Sequence, residues 1–154
     1  MRKLLSSGLA MFAGVVSLPA PGSLHGNRKV PVADHRLAQL QAFFGKSDCP
    51  AKEYSDDLLV AADRNNLDWR LLPSISYVES TGGKSAKNNN MFGWDSGRAT
   101  FPTARQGIHE VGYRLKHSHL YRSKNLDQML ATYNPDGEYA QKVKSVMAQI
   151  APVQ

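Results

Sequence analysis

The sequence is short of cysteine, of clustered positive charge and of apolar runs long enough to cross a bilayer. Cys49 is the only cysteine in 154 residues, which excludes an intramolecular disulfide and any fold stapled by one. It precedes Pro50 with no base-bearing pattern nearby, so a packed, inert thiol is expected. Nineteen Lys and Arg against thirteen Asp and Glu give a net charge of +6. The basic residues are scattered, however, and no RNA-binding signature appears, so a nucleic-acid partner is not expected. His117-x-His119 lacks a third ligand at a recognisable spacing, so no metal site and no cofactor are expected. Internal repeats and low-complexity tracts are absent. Eight prolines and twelve glycines with 42% hydrophobic residues fit a single ordered domain with a real core.

The N-terminus has the order of a secretory signal peptide. Met1-Arg2-Lys3 precedes an apolar stretch from Leu4 to Leu18, and Pro19-Ala20-Pro21-Gly22-Ser23 supplies a small-residue break. The apolar stretch is too short and too rich in Ser and Gly for a comfortable span. Residues 1–22 are therefore read as a signal peptide, with retention as an uncleaved anchor as the alternative. Its removal takes away Arg2 and Lys3 and no acid, lowering the charge from +6 to +4. The expected product is exported, periplasmic or secreted, with no stable membrane span. A mildly basic monomer of this kind is drawn towards anionic envelope polymers.

Residues 23–46 read as a proline-bracketed linker followed by one helix, and 47–151 as the main domain. Leu37, Leu40, Phe43 and Phe44 give a helix over Ala33–Phe44 with Gly45 as its stop. Ser55 is placed as the N-cap of a helix carrying Leu58, Leu59, Ala61 and Ala62, which ends at Asn65-Asn66. Asp68 caps the next, striped by Trp69, Leu72, Ile75 and Val78 or Glu79, with Pro73 near its first turn. Thr103-Ala104-Arg105-Gln106 is a capping box for a helix burying Ile108, Val111, Gly112 and Leu115. A further helix runs from Asn125 to Tyr133-Asn134-Pro135. The last, Glu138–Ile150, buries Tyr139, Val143, Val146, Met147 and Ile150. The fold class is all-α, with at most a short hairpin over Phe92–Phe101 turning at Ser96-Gly97.

One stretch carries chemistry. The apolar run Leu71–Val78 ends in Glu79, Ser80-Thr81-Gly82-Gly83 breaks the helix, and Asn88-Asn89-Asn90-Met91-Phe92-Gly93-Trp94 follows. A carboxyl group delivered by an apolar helix to a cleft edge has its pKa raised by desolvation, as a general acid requires. Amide and aromatic groups in the next loop suit a sugar ring. An exposed glutamate before a glycine turn is the plainer reading of the same residues.

Glu79-Ser80 at a helix end, then Asn89-Asn90-Met91-Phe92-Gly93-Trp94, then Tyr133-Asn134-Pro135 with Glu138-Tyr139-Ala140-Gln141-Lys142-Val143, resemble the bacterial glucosaminidase and lytic transglycosylase domains. These belong to the lysozyme-like superfamily of peptidoglycan-cleaving enzymes. The resemblance spans residues 50–151. The small-residue turn after the glutamate and the Asn-x-Phe-Gly segment are closest to the glucosaminidase side, whereas Tyr133-Asn134 is similar to the Tyr-Asn pair of transglycosylases.

The resemblance implies a lysozyme-like fold and Glu79 as the acid that protonates the leaving oxygen of a β-1,4 bond between GlcNAc and MurNAc. It places Tyr133 beside the anomeric carbon, although a core tyrosine fits the local pattern equally. Asn134 would position the substrate. Asn90, Phe92 and Trp94 are expected on the glycan, with Phe92 alternatively pinning the loop to the core. Ser80 joins this binding set, though its natural role is a local hydrogen bond. Asp95 is the first candidate for a second carboxylate, ahead of Glu110 and Asp136. Without one, the substrate's own N-acetyl group or 6-hydroxyl attacks the anomeric carbon, the latter giving a 1,6-anhydro product. A hydrolase, a lytic transglycosylase and an inactive peptidoglycan-binding module are all consistent with these residues.

Overall fold

A computed structural model describes residues 34–152. The signal peptide and the linker expected from the sequence lie outside the described residues. Six α-helices follow in order: α1 His35–Lys46, α2 Ser55–Arg64, α3 Leu71–Ser80, α4 Ala104–His117, α5 Leu126–Tyr133 and α6 Tyr139–Ile150. A short 3-10 helix, Pro50–Tyr54, leads into α2. Among the described residues there is no strand, only an isolated bridge between Lys87 and Asn90. The domain is all-α. None of the described helices is long and apolar enough to cross a membrane.

The most apolar helix is the central one. In α3 every residue from Leu71 to Ser76 is buried, which leaves it no solvent face over its first two turns. It packs against α2 and α6, whose Leu58, Ala61 and Ala62 and whose Val143, Val146 and Met147 are buried. Pro73 falls in the first turn of α3, where its missing N–H leaves no helical bond unmade. Helix α4 closes on α2 through Ile108, Val111 and Leu115.

Several local expectations need correction. Ser55 is not an N-cap: the chain is already turning in the 3-10 helix, and Ser55 Oγ donates back to Lys52 O at 2.8 Å. Helix α1 starts at an Asp34 cap and runs through Gly45 to Lys46. Asp68 caps a turn rather than α3, accepting from Arg70 N at 2.9 Å. The capping box at Asn125 is complete in both directions, whereas at Thr103 only the hydroxyl half forms, with Gln106 N.

Helix α3 ends where Thr81 enters the left-handed region at φ 52° and Gly82 follows at φ +62°. A Cβ on Gly82 would lie 2.8 Å from Cys49 Cβ and 3.2 Å from the Phe44 ring. The chain can leave α3 this tightly only with glycine there. The buried Cys49 is the packing partner of that turn, and burial raises its thiol pKa.

Candidate active site

Glu79 sits on the last turn of α3 and lines a cleft of about 660 Å³. Gly93, Trp94 and Asp95 of the loop between α3 and α4 line one side, with Arg114 of α4. Leu120 and Tyr121, between α4 and α5, and Tyr133 and Asn134 at the end of α5 line the rest. The core thus delivers one carboxyl group to a hollow walled by three chain segments distant in sequence.

The loop is built differently from the expected hairpin. Asn90 is buried, and its side-chain amide occupies the centre of the loop. Asn90 Nδ2 donates to Trp94 O at 3.0 Å and Ala99 O at 3.2 Å, while Oδ1 accepts from Trp94 N at 2.9 Å. Asn89 Nδ2 donates to Phe101 O at 2.8 Å. One backbone bond crosses the expected hairpin, Ala99 N to Trp94 O at 3.3 Å, while Trp94 N and Ala99 O are satisfied by the Asn90 side chain instead. Asp95 and Ser96 both take positive φ, which breaks any extended run. Replacing Asn90 with alanine strands two backbone groups, Trp94 N and Ala99 O, while Trp94 O keeps the amides of Gly97 and Ala99. A loss of about 2–4 kcal/mol in urea-denaturation stability is expected, and a change under 0.5 kcal/mol would contradict this role.

Three residues expected on the substrate therefore work inside the protein. Asn90 holds the loop. Phe92 is fully buried, so its ring belongs to the core and pins the loop there. Ser80 is buried too: its hydroxyl lies 2.7 Å from Met91 O and 3.1 Å from Ser76 O, and accepts from Gly83 N. It ties the end of α3 to the loop. None of these side chains reaches the cleft.

Trp94, Tyr133, Asn134 and Asp95 do line it. The Tyr133 hydroxyl donates to Phe92 O at 2.5 Å, so the hydroxyl is buried while the ring flanks the cleft. Its ring meets Trp94 edge-on at 5.6 Å and stacks parallel to Tyr139 at 5.9 Å. Trp94 also contacts Tyr121 at 5.9 Å. The result is one continuous aromatic row, Tyr139–Tyr133–Trp94–Tyr121, of which Tyr133, Trp94 and Tyr121 line the cleft while Tyr139 lies buried behind them. Asn134 Oδ1 accepts from Asp136 N at 3.0 Å, leaving the amide nitrogen as the group available to a ligand.

The electrostatics single out Glu79. Burial raises its pKa, and contact with the Tyr139 hydroxyl pulls it only part of the way back. That contact is looser than a well-formed hydrogen bond, because the buried Tyr139 hydroxyl has no partner in strict geometry. Burial and the nearby Glu79 carboxylate push Tyr133 well above the usual phenol range, and Tyr139 rises for the same reasons. Both phenols stay neutral, and the Tyr133 hydroxyl donates to Phe92 O. Asp95, by contrast, is half-exposed and paired with Arg98 at 2.7 Å. Glu110 pairs with Arg114 at 2.6 Å, and Asp136 accepts from Glu138 N; neither lines this cleft.

Tyr121, Leu120, Arg114 and Gly93 were not legible as site residues. Leu120-Tyr121 lies in a segment without helical period, and an apolar pair there is the trace that marks a surface contact; Leu120 is 51% exposed. Among the described residues no three His, Cys, Asp or Glu side chains gather as a metal would require. No family model, no curated protein and no solved structure matches the chain significantly.

Proposed function

We propose that the chain is an exported peptidoglycan glycosidase of the lysozyme-like superfamily, cleaving β-1,4 links between GlcNAc and MurNAc with Glu79 as general acid and base. The observation that carries this reading is a carboxyl group with a raised pKa in a cleft lined by Trp94, Tyr121 and Tyr133. A helical domain in which a buried central helix presents that glutamate fits the fold the sequence resemblance implies. Localisation rests on the Met1–Ser23 pattern alone.

The protonated Glu79 carboxyl gives its proton to the glycosidic oxygen as the bond to the anomeric carbon breaks. Positive charge develops on the sugar ring, and the Trp94 and Tyr133 rings flank it. A group of the substrate then attacks the anomeric carbon, and the Glu79 carboxylate accepts a proton from the incoming water or hydroxyl. Among the described residues, Asp95 is the only other carboxylate lining the cleft, and its side chain is engaged by Arg98. That favours an attacking group supplied by the substrate. It also keeps a second reading in play, a lytic transglycosylase in which the muramoyl 6-hydroxyl is the nucleophile.

Mass spectrometry of fragments released from purified sacculi tests both. Reducing GlcNAc ends are the expected product of the glucosaminidase reading, and 1,6-anhydro-muramoyl ends would assign the transglycosylase. Tight sacculus binding with no fragment released would replace both with an inactive binding module.

A further inference from the structure

Among the described residues, Arg114 is the only cation lining the Glu79 cleft. It projects from the last turn of α4. Its Nε donates to Glu110 Oε1 at 2.6 Å, one turn back on the same helix, and its guanidinium carbon stands 5.8 Å from the Trp94 ring centre. These contacts fix the guanidinium plane. They leave its two terminal amino groups with no hydrogen-bond partner among the described residues, on a side chain 47% exposed. A guanidinium held in place with its terminal fork free matches a planar carboxylate.

Arg114 also borders a second hollow of about 840 Å³, whose lining includes Arg64, His109, Glu110, Tyr113 and His117. Tyr113 is 56% exposed, and its ring stacks on His117 at 4.5 Å and 29°. The hollow presents aromatic faces and more basic than acidic groups, and Arg114 stands on the border it shares with the cleft. A neutral GlcNAc polymer offers that fork single hydroxyl and amide oxygens but no carboxylate to pair with both amino groups. A glycan whose sugars carry an acidic peptide does.

We propose that Arg114 selects glycans bearing carboxylate substituents: the acidic stem peptide of a muramoyl residue leaves the Glu79 cleft across its guanidinium and lies in the Tyr113–His117 hollow. This rests on the proposed peptidoglycan glycosidase reading, and it assigns to Arg114 the discrimination between stem-bearing and unsubstituted glycan. Glu110 neutralises part of the Arg114 charge, so the preference comes from the directed fork more than from net charge. The competing role is mechanical, with Arg114 serving only to hold Trp94. In that case its loss weakens every glycan alike.

Binding to the full chain in a Glu79→Gln background separates these roles. The probes are a GlcNAc–MurNAc tetrasaccharide with stem peptides, the same compound with its carboxylates amidated, and tetra-N-acetylchitotetraose. R114Q is expected to weaken the stem-bearing ligand about tenfold and chitotetraose by less than about twofold. Amidation should reproduce the loss when Arg114 is present and add nothing in R114Q. R114K, which keeps the charge without the fork and guards against misfolding, should fall between. Equal weakening of all three ligands by R114Q, or no preference for the stem-bearing one, overturns the proposal. Cleavage adds a further check. Burial and Tyr139 set the protonation of Glu79 with no contribution from Arg114, so R114Q should leave the pH profile in place; a displaced profile would make Arg114 part of the acid machinery instead. Failure of the glycosidase reading has its own signature, intact binding preference without bond cleavage.

Discussion

Glu79→Gln is expected to lower the rate of sacculus clearing about a thousandfold, the scale set by removing a positioned general acid. Glutamine keeps the shape and leaves no transferable proton. The folded protein should not suffer. The Glu79 pKa is raised in the folded state, mainly by burial. Above its ordinary value the unfolded chain releases the proton while the folded chain still holds it. Stability is therefore fully present below the unfolded pKa and is lost as pH rises through the folded one. Glutamine has no charged form to bury, so the variant should melt at or above the wild-type temperature at pH 7 and equal to it in acid. Clearing assays and thermal melts across pH check both halves. Equal clearing by the two proteins removes Glu79 from the chemistry. The same logic fixes the pH dependence: activity falls as pH rises through the raised Glu79 pKa. Tyr139→Phe, which removes the contact pulling that pKa down, should move the alkaline limb upward.

What the sequence made legible follows from which forces act locally. The last helix was readable because Tyr139, Val143, Val146, Met147 and Ile150 repeat at helical spacing, and all five are buried. Glu79 was readable because an apolar helix is followed by an abrupt break, and the structure places it among the residues lining a cleft. Sequence order could not say which way each loop side chain faces. Asn90 and Trp94 stand four residues apart in one polar stretch, yet one amide is the internal scaffold and the other ring is the wall. An asparagine that bonds backbone groups four and nine residues away has no periodic signature. Tyr139 posed the opposite problem. Its burial was expected from period alone, but its contact with Glu79 depends on how α6 crosses α3. Arg114 likewise reads as a solvated helix residue, and only the return of the loop beneath it brings Trp94 within reach.

Gly93→Ala should be nearly as damaging as removal of the acid, although position 93 carries no chemistry. Gly93 has φ +60°, and a Cβ built there lies 2.5 Å from Glu79 Oε2 and 3.2 Å from its Cδ. Either the loop or the carboxyl must move. The loop is held by the Asn90 amide, by Ser80 on Met91 O and by the Tyr133 hydroxyl on Phe92 O, whereas Glu79 is a flexible side chain at a helix end. The carboxyl is the cheaper group to displace. Displacement of an acid by about 1 Å costs about a hundredfold in rate, and the left-handed alanine costs about 1–2 kcal/mol of stability. A carboxyl pushed out of this contact is better hydrated, so the cause of its raised pKa weakens and the alkaline limb of activity should move down. Gly97→Ala supplies the control: φ is +79° there, but an added Cβ meets nothing within 4 Å. It should carry the same backbone cost and leave the rate within a few-fold of wild type. If Gly93→Ala and Gly97→Ala lower the rate equally, backbone strain in the loop rather than the seat of Glu79 governs activity. A hundredfold gap between them, with the pH limb displaced only in Gly93→Ala, is the expected result.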